Sequence, residues 1–152
     1  MKIYLAGFIQ GSKLKECCDW RIEIRKYYGD DGYTWLDPLN GKDFATITQD
    51  GLKSSNPAQA IVHRDYVSVH SADLIIANMD TFGESRPLTG TICELAWAWD
   101  KNIPIIMITT ENKYKEHPFL ACFASWTIDS VDEMINQGAI EYFKGGIENA
   151  IY

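Results

Sequence analysis

The stretch from Ser71 to Lys101, SADLIIANMDTFGESRPLTGTICELAWAWDK, constrains the chain more than any other. Leu74 to Ala77 is a short unbroken apolar run, which predicts a strand covered on both faces. A polar loop carrying Gly83 and Pro87 follows, from Met79 to Gly90, and an apolar helix opens behind it. A strand, a long loop and a helix start in direct succession place that loop at the carboxyl edge of a parallel sheet. In open α/β folds ligands bind at this edge.

The rest of the chain fits around this unit. Lys2 to Phe8 predicts a first strand that enters a turn containing Gly11. Leu14, Cys17, Trp20, Ile24 and Tyr27 recur at spacings of three and four, predicting a helix from Lys13 to about Tyr28 that Gly29 to Gly32 ends. Tyr33 to Leu36 is a second strand, running into Asp37-Pro38. Leu39 to Asn56 is polar and irregular, a long loop for so small a domain and so a candidate for function. Ser54, Ser55 or Asn56 then caps a helix that Pro57 opens and that runs to about His70. Its apolar stripe is Ala58, Ile61, Val62, Tyr66 and Val69, and Asp65 shares that stripe. Ile103 to Thr109 predicts a strand, Pro118 to Phe123 a short helix, Trp126 to Ile128 a last strand, and Asp129 to Phe143 a last helix. The alternation predicts one α/β domain over residues 1–152: a flavodoxin-like, doubly wound parallel sheet of five strands in the order 2-1-3-4-5, with helices on both faces. The switch point then lies between strands one and three, lined by the turn after Phe8 and the loop after Asn78.

Charge narrows the partners. Twenty-one acidic residues against 14 basic ones give a formal charge of -7, which argues against a nucleic-acid polymer or an anionic membrane. A small nucleoside or nucleotide stays open, since a few local groups suffice to hold it. The sequence shows no apolar run of membrane-spanning length and no signal-like segment before the first strand, so a cytoplasmic location is expected. Cys17, Cys18, Cys93 and Cys122 form no Cys-x-x-Cys pair and read as free thiols. His63, His70 and His117 lack metal-ligand spacing, and the glycines from Gly7 to Gly11 match neither a dinucleotide fingerprint nor a P-loop. No metal and no cofactor is expected.

Three residues carry the candidate chemistry, each with two readings. Glu94 is either the partner of Thr91 in a Thr-x-x-Glu capping box or a nucleophile at the sheet edge, kept ionised by the helix N-terminus. Asp65 is a surface carboxylate, or a group that faces the site from the apolar stripe. Tyr4 is a core residue or the hydroxyl that holds Glu94.

An ordered set of motifs separates these readings. Ile3-Tyr-Leu-Ala-Gly7, Asp65 eight residues before Asp73, and Gly90-Thr91-x-x-Glu94-Leu95 together resemble the nucleoside 2-deoxyribosyltransferase family, which includes 2'-deoxynucleoside 5'-phosphate N-hydrolases. The resemblance implies that Glu94 is the nucleophile, Asp65 the base-side acid and Tyr4 the tyrosine that holds the nucleophile. It places Ile9 and Gln10 beside the base, and Gly7, Phe8, Asp37, Arg86, Thr89, Gly90 and the terminal Tyr152 among the residues that contact substrate. Two positions depart from the family: Leu88, where the transferases carry Asp and the hydrolases Ser, and Leu120, where the transferases have an Asn reaching into a neighbouring subunit. Arg86, Thr89, Arg64 and Lys13 are the candidates to replace them.

The implied chemistry is physically coherent. Breaking an N-glycosidic bond builds positive charge on the sugar and negative charge on the base; a carboxylate answers the first and an acid the second. The resulting expectation is an enzyme that transfers deoxyribose between bases. The alternatives are a hydrolase of deoxynucleoside monophosphates and a catalytically silent nucleotide-binding sensor on the same fold. Small-molecule partners are expected, namely a deoxynucleoside or deoxynucleotide and a free base. A homo-oligomer with shared sites is also expected, from the aromatic cluster Trp97, Trp99, Phe119, Phe123 and Trp126 and the apolar end Ile151-Tyr152.

Overall fold

The computed structural model describes residues 1–42, 47–48, 51–52 and 55–147. The elements in chain order are β1 (Lys2–Gly7), α1 (Leu14–Tyr28), β2 (Thr34–Leu36), β3 (Ile47–Thr48), β4 (Gly51–Leu52), α2 (Ala58–His70), β5 (Leu74–Asn78), α3 (Thr89–Asp100), β6 (Ile105–Ile108), α4 (Asn112–Lys115), α5 (Pro118–Phe123), β7 (Trp126–Ile128), α6 (Val131–Asn136) and α7 (Ala139–Ile147). Five strands form one parallel sheet in the order β2-β1-β5-β6-β7, the predicted 2-1-3-4-5 order. β1 and β5 are adjacent, with Tyr4 beside Ile75 and Gly7 beside Asn78.

Strand pleating sorts the core into two layers. Ile3, Leu5, Leu74 and Ile76 face one side and pack with Trp20 and Ile24 of α1 and with Met134, Ala139 and Ile140 of α6 and α7. Tyr4, Ala6, Ile75 and Ala77 face the other, against Val69 of α2, Leu95 and Ala98 of α3 and Leu120 of α5. Tyr4 is therefore the polar tip in an otherwise apolar layer. Gly7 ends β1 where space runs out: a Cβ there would lie 2.9 Å from Trp20 Cζ2 and 3.2 Å from the Asn78 carbonyl oxygen.

Four local expectations are corrected. α3 starts at Thr89, with Leu88 rather than Thr91 at its N-cap, so Glu94 lies on the second turn and is not a capping-box partner. Leu88 is drawn into the core, and the helix begins three residues earlier than the Thr-x-x-Glu pattern suggests. On α2 only Asp65 and Val69 of the predicted stripe are buried, while Val62 and Tyr66 stay 50% and 43% exposed. On α1 the covered face is Cys17, Trp20, Arg21 and Ile24, not Leu14 and Tyr27, which are exposed. The single helix expected from Asp129 to Phe143 is two, because Gly138 adopts φ +63 between them. The long loop after β2 also contains the short antiparallel pairing of β3 with β4.

Candidate functional site

A cavity of about 430 Å³ opens at the carboxyl edge of β1 and β5. The turn after β1 supplies Gly7, Phe8, Ile9 and Gln10 to its wall. α2 supplies Asp65, and the segment into α3 supplies Arg86, Leu88, Thr89, Gly90, Thr91 and Glu94. Most of the sequence candidates are thus brought together by the switch point.

Glu94 is buried, and Tyr4 donates a hydrogen bond from its hydroxyl to Glu94 Oε1 at 2.7 Å. The contact joins residues far apart in the chain, because Tyr4 points out of β1 toward the layer where α3 packs. Burial pushes the Glu94 carboxyl up to about 7. The Tyr4 hydrogen bond opposes this, Asp65 adds to it, and the cations Arg21 and Lys42 pull the other way. Tyr4 itself is raised well above the usual phenol range, first by burial and then by the neighbouring Glu94 charge. It is thereby held as a donor.

Asp65 is buried on α2 and its Oδ1 accepts from Arg64 Nη2 at 3.1 Å and Nε at 3.3 Å. It enters the cavity as an acceptor already shared with a guanidinium, on the wall contributed by α2.

Two sequence candidates fall elsewhere. Asp37 does not line the cavity; it lies 3.5 Å from Arg21 Nε and 4.0 Å from Arg25 Nη1, and its Oδ1 accepts from the Leu39 N–H at 2.9 Å. Tyr152 lies outside the described residues. Of the two unusual leucines, Leu88 is a core residue whose surface reaches the cavity, and Leu120 is the residue of α5 buried in the core of the same chain. Of the possible replacements, Arg86 and Thr89 line the cavity, Arg64 serves Asp65, and Lys13 pairs with Glu16 at 3.6 Å on the surface.

Sequence reasoning missed Lys42 and Arg21. Lys42 lines the cavity, and burial lowers its ammonium below the ordinary lysine range, with Asp65 opposing. Its signal was weak, a lysine in a polar loop. Arg21 is almost fully buried, stacked 4.3 Å over Trp20, with Nη2 donating to the Leu5 carbonyl at 3.3 Å. Its Nε makes no hydrogen bond among the described residues, and Asp37 partly offsets the burial that lowers its pKa. The signal was available: Arg21 lies four residues after Cys17 and three before Ile24, inside the apolar stripe.

Residues 3–138 match the family model described as nucleoside 2-deoxyribosyltransferase. The chain belongs to the nucleoside 2-deoxyribosyltransferase family. Solved structures share its fold at low identity. A 2-deoxyribosyltransferase from Bacillus psychrosaccharolyticus is 16% identical with a TM-score of 0.63, the match covering 90% of this chain and 91% of that one. A CMP N-glycosidase from Clostridium botulinum, BcmB, is 19% identical with a TM-score of 0.56, covering 92% and 99%. A conserved protein from Enterococcus faecalis V583 is 18% identical with a TM-score of 0.60, covering 90% and 98%. No curated protein matches the chain significantly. This family acts on small nucleosides or nucleotides as N-glycosyl transferases or N-glycosidases. Among the described residues no helix is long and apolar enough to cross a membrane, and no cluster of His, Cys, Asp and Glu could hold a metal ion.

Proposed function

We propose that the chain is a nucleoside 2-deoxyribosyltransferase that cleaves the N-glycosidic bond of a 2'-deoxynucleoside through an ester on Glu94. The observation that carries this reading is the buried Glu94 carboxyl, held by the Tyr4 hydroxyl in the same cavity as Asp65. Glu94 attacks C1' as the C1'–N bond breaks, and the bonding electrons leave with the base. Asp65, on the base side, assists that departure by passing a proton from solvent to the base. Gly7, Phe8, Ile9 and Gln10 flank the base, and Arg86, Thr89 and Gly90 the sugar's 5'-end. An incoming base, or water, then attacks C1' and releases Glu94.

A second reading is hydrolysis of a 2'-deoxynucleoside 5'-monophosphate. It is favoured by Arg86 and Lys42, two cationic side chains on the cavity wall, and by the start of α3, whose backbone N–H groups suit an anion. The test is a panel of deoxynucleosides and their 5'-monophosphates, with and without a second free base, followed by chromatography. Exchange of bases supports the transferase. Base release that improves when a 5'-phosphate is added supports the hydrolase. Nucleotide binding by calorimetry with no base release over long incubation overturns both in favour of a silent binding module.

Assembly belongs to the same proposal. Trp99 and Phe119 are 50% and 66% exposed, and Phe123 lies 5.4 Å from Trp99 and 6.1 Å from Phe119, ring centre to ring centre. Such a cluster on α3 and α5 suits a homo-oligomeric contact. A light-scattering mass of one chain, with full activity, would remove the shared-site idea.

A further inference from the structure

We propose that Arg64 is a positioning residue that latches the loop after β2 to Asp65 and so holds Lys42 in the cavity. Its Nη1 donates to the Asn40 carbonyl at 2.9 Å and its Nη2 to the Pro38 carbonyl at 2.6 Å. Nη2 and Nε also donate to Asp65 Oδ1, at 3.1 and 3.3 Å. All three nitrogens of one guanidinium are therefore engaged, two kinds of partner being tied by a single planar group. A lysine has no fork that could bridge both.

The loop is built to transmit that hold. Leu39 N–H donates to Asp37 Oδ1 at 2.9 Å, Asn40 N–H to the Asp37 carbonyl at 3.0 Å, and Lys42 N–H to the Leu39 carbonyl at 3.2 Å. One end of this run of turns is pinned to α1, where Asp37 meets Arg21 and Arg25. Arg64 pins its middle to α2. Lys42 follows directly, and it is the residue that the loop delivers to the cavity wall alongside Asp65. Asp65 and Lys42 are thus placed relative to each other by Arg64, which itself does not line the cavity.

This inference rests on the reading of Asp65 as the base-side group, and its test separates the two. Arg64→Met and Arg64→Lys are made in the full chain, and hydrogen exchange of the amides from Leu39 to Lys42 is followed. Both variants are expected to exchange faster there while the thermal midpoint stays near that of the wild type. Their kcat/KM is expected to fall about a hundredfold for bases that leave poorly, and less for bases that leave easily. Lys42→Met added to Arg64→Met should cost little more, because one arrangement has already been lost. Unchanged exchange from Leu39 to Lys42 overturns the latch. So does an equal loss for every leaving base with fully additive effects, which is the mark of a general structural defect. If the wild-type chain releases no base from any substrate, the functional reading fails, while the exchange measurement still decides the latch.

Discussion

The two walls of the cavity are built differently. The Glu94 wall comes from regular elements, with β1 and α3 packed in one apolar layer and a single 2.7 Å hydrogen bond between them. The Asp65 wall comes from α2 and a loop, and is held by an ion pair whose arginine side chain is 38% exposed. Burial dominates on the first wall and lifts Glu94 to about 7. On the second, Asp65 Oδ1 accepts two hydrogen bonds from Arg64. The contrast suits the proposed reaction. A nucleophile needs one fixed rotamer in a dry place, whereas the group that meets the base must accommodate different bases.

Substitutions test this contrast. The largest effect is expected at the Glu94 wall, where Glu94→Ala should lower base release by about 10⁴-fold or more, since no other group on that wall can form the ester. Chromatography of the released base reads it, and unchanged turnover would dismiss Glu94 as nucleophile. Next, Asp65→Asn should reduce kcat by about a thousandfold for poorly leaving bases. A similar loss for easily leaving bases would mean that the two walls do not divide the work.

Tyr4→Phe is expected to cost roughly ten- to a hundredfold, the worth of one hydrogen bond to a charged group. The sign of its pH effect follows from the cause. The Tyr4 hydrogen bond lowers the Glu94 pKa, so removing it raises that pKa, and the acidic limb of the rate profile should move to higher pH. A limb that stays in place would show that Glu94 does not set it.

The last effect concerns stability rather than rate. The folded chain holds the Glu94 proton up to about pH 7, whereas the unfolded chain releases it near 4.5. The stability this proton contributes is complete below the unfolded value and is lost as pH rises through the folded one. Glu94→Gln keeps an acceptor for Tyr4 and needs no proton. It should therefore be more stable than the wild type at about pH 8, by up to about 3 kcal/mol, with the advantage shrinking toward about pH 4. Urea denaturation at both pH values measures this, and a wild type that gains on the variant as pH rises would reverse the assignment.

Periodicity alone determined the sheet. The apolar runs at Ile3, Leu74–Ala77 and Ile105–Ile108, separated by helical patterns, carry the doubly wound order, because burial on both faces leaves strands no other composition. The cavity was legible at Gly7–Gln10 and Arg86–Glu94, since a switch point follows from strand order. Glu94 was found for a reason that proved different from its local pattern: Thr91-x-x-Glu94 suggested a first-turn cap, but the helix begins at Thr89 once Leu88 is buried. Only the tertiary structure decided that Tyr4 reaches Glu94, that Asp37 serves Arg21 rather than the cavity, and that Arg64 ties Lys42 to Asp65. Apart from the Arg64–Asp65 bond, those contacts join residues far apart in the chain, and their sign and strength depend on burial and on neighbouring charge. Local spacing encodes which face a residue takes; it does not encode which charge waits across the cavity.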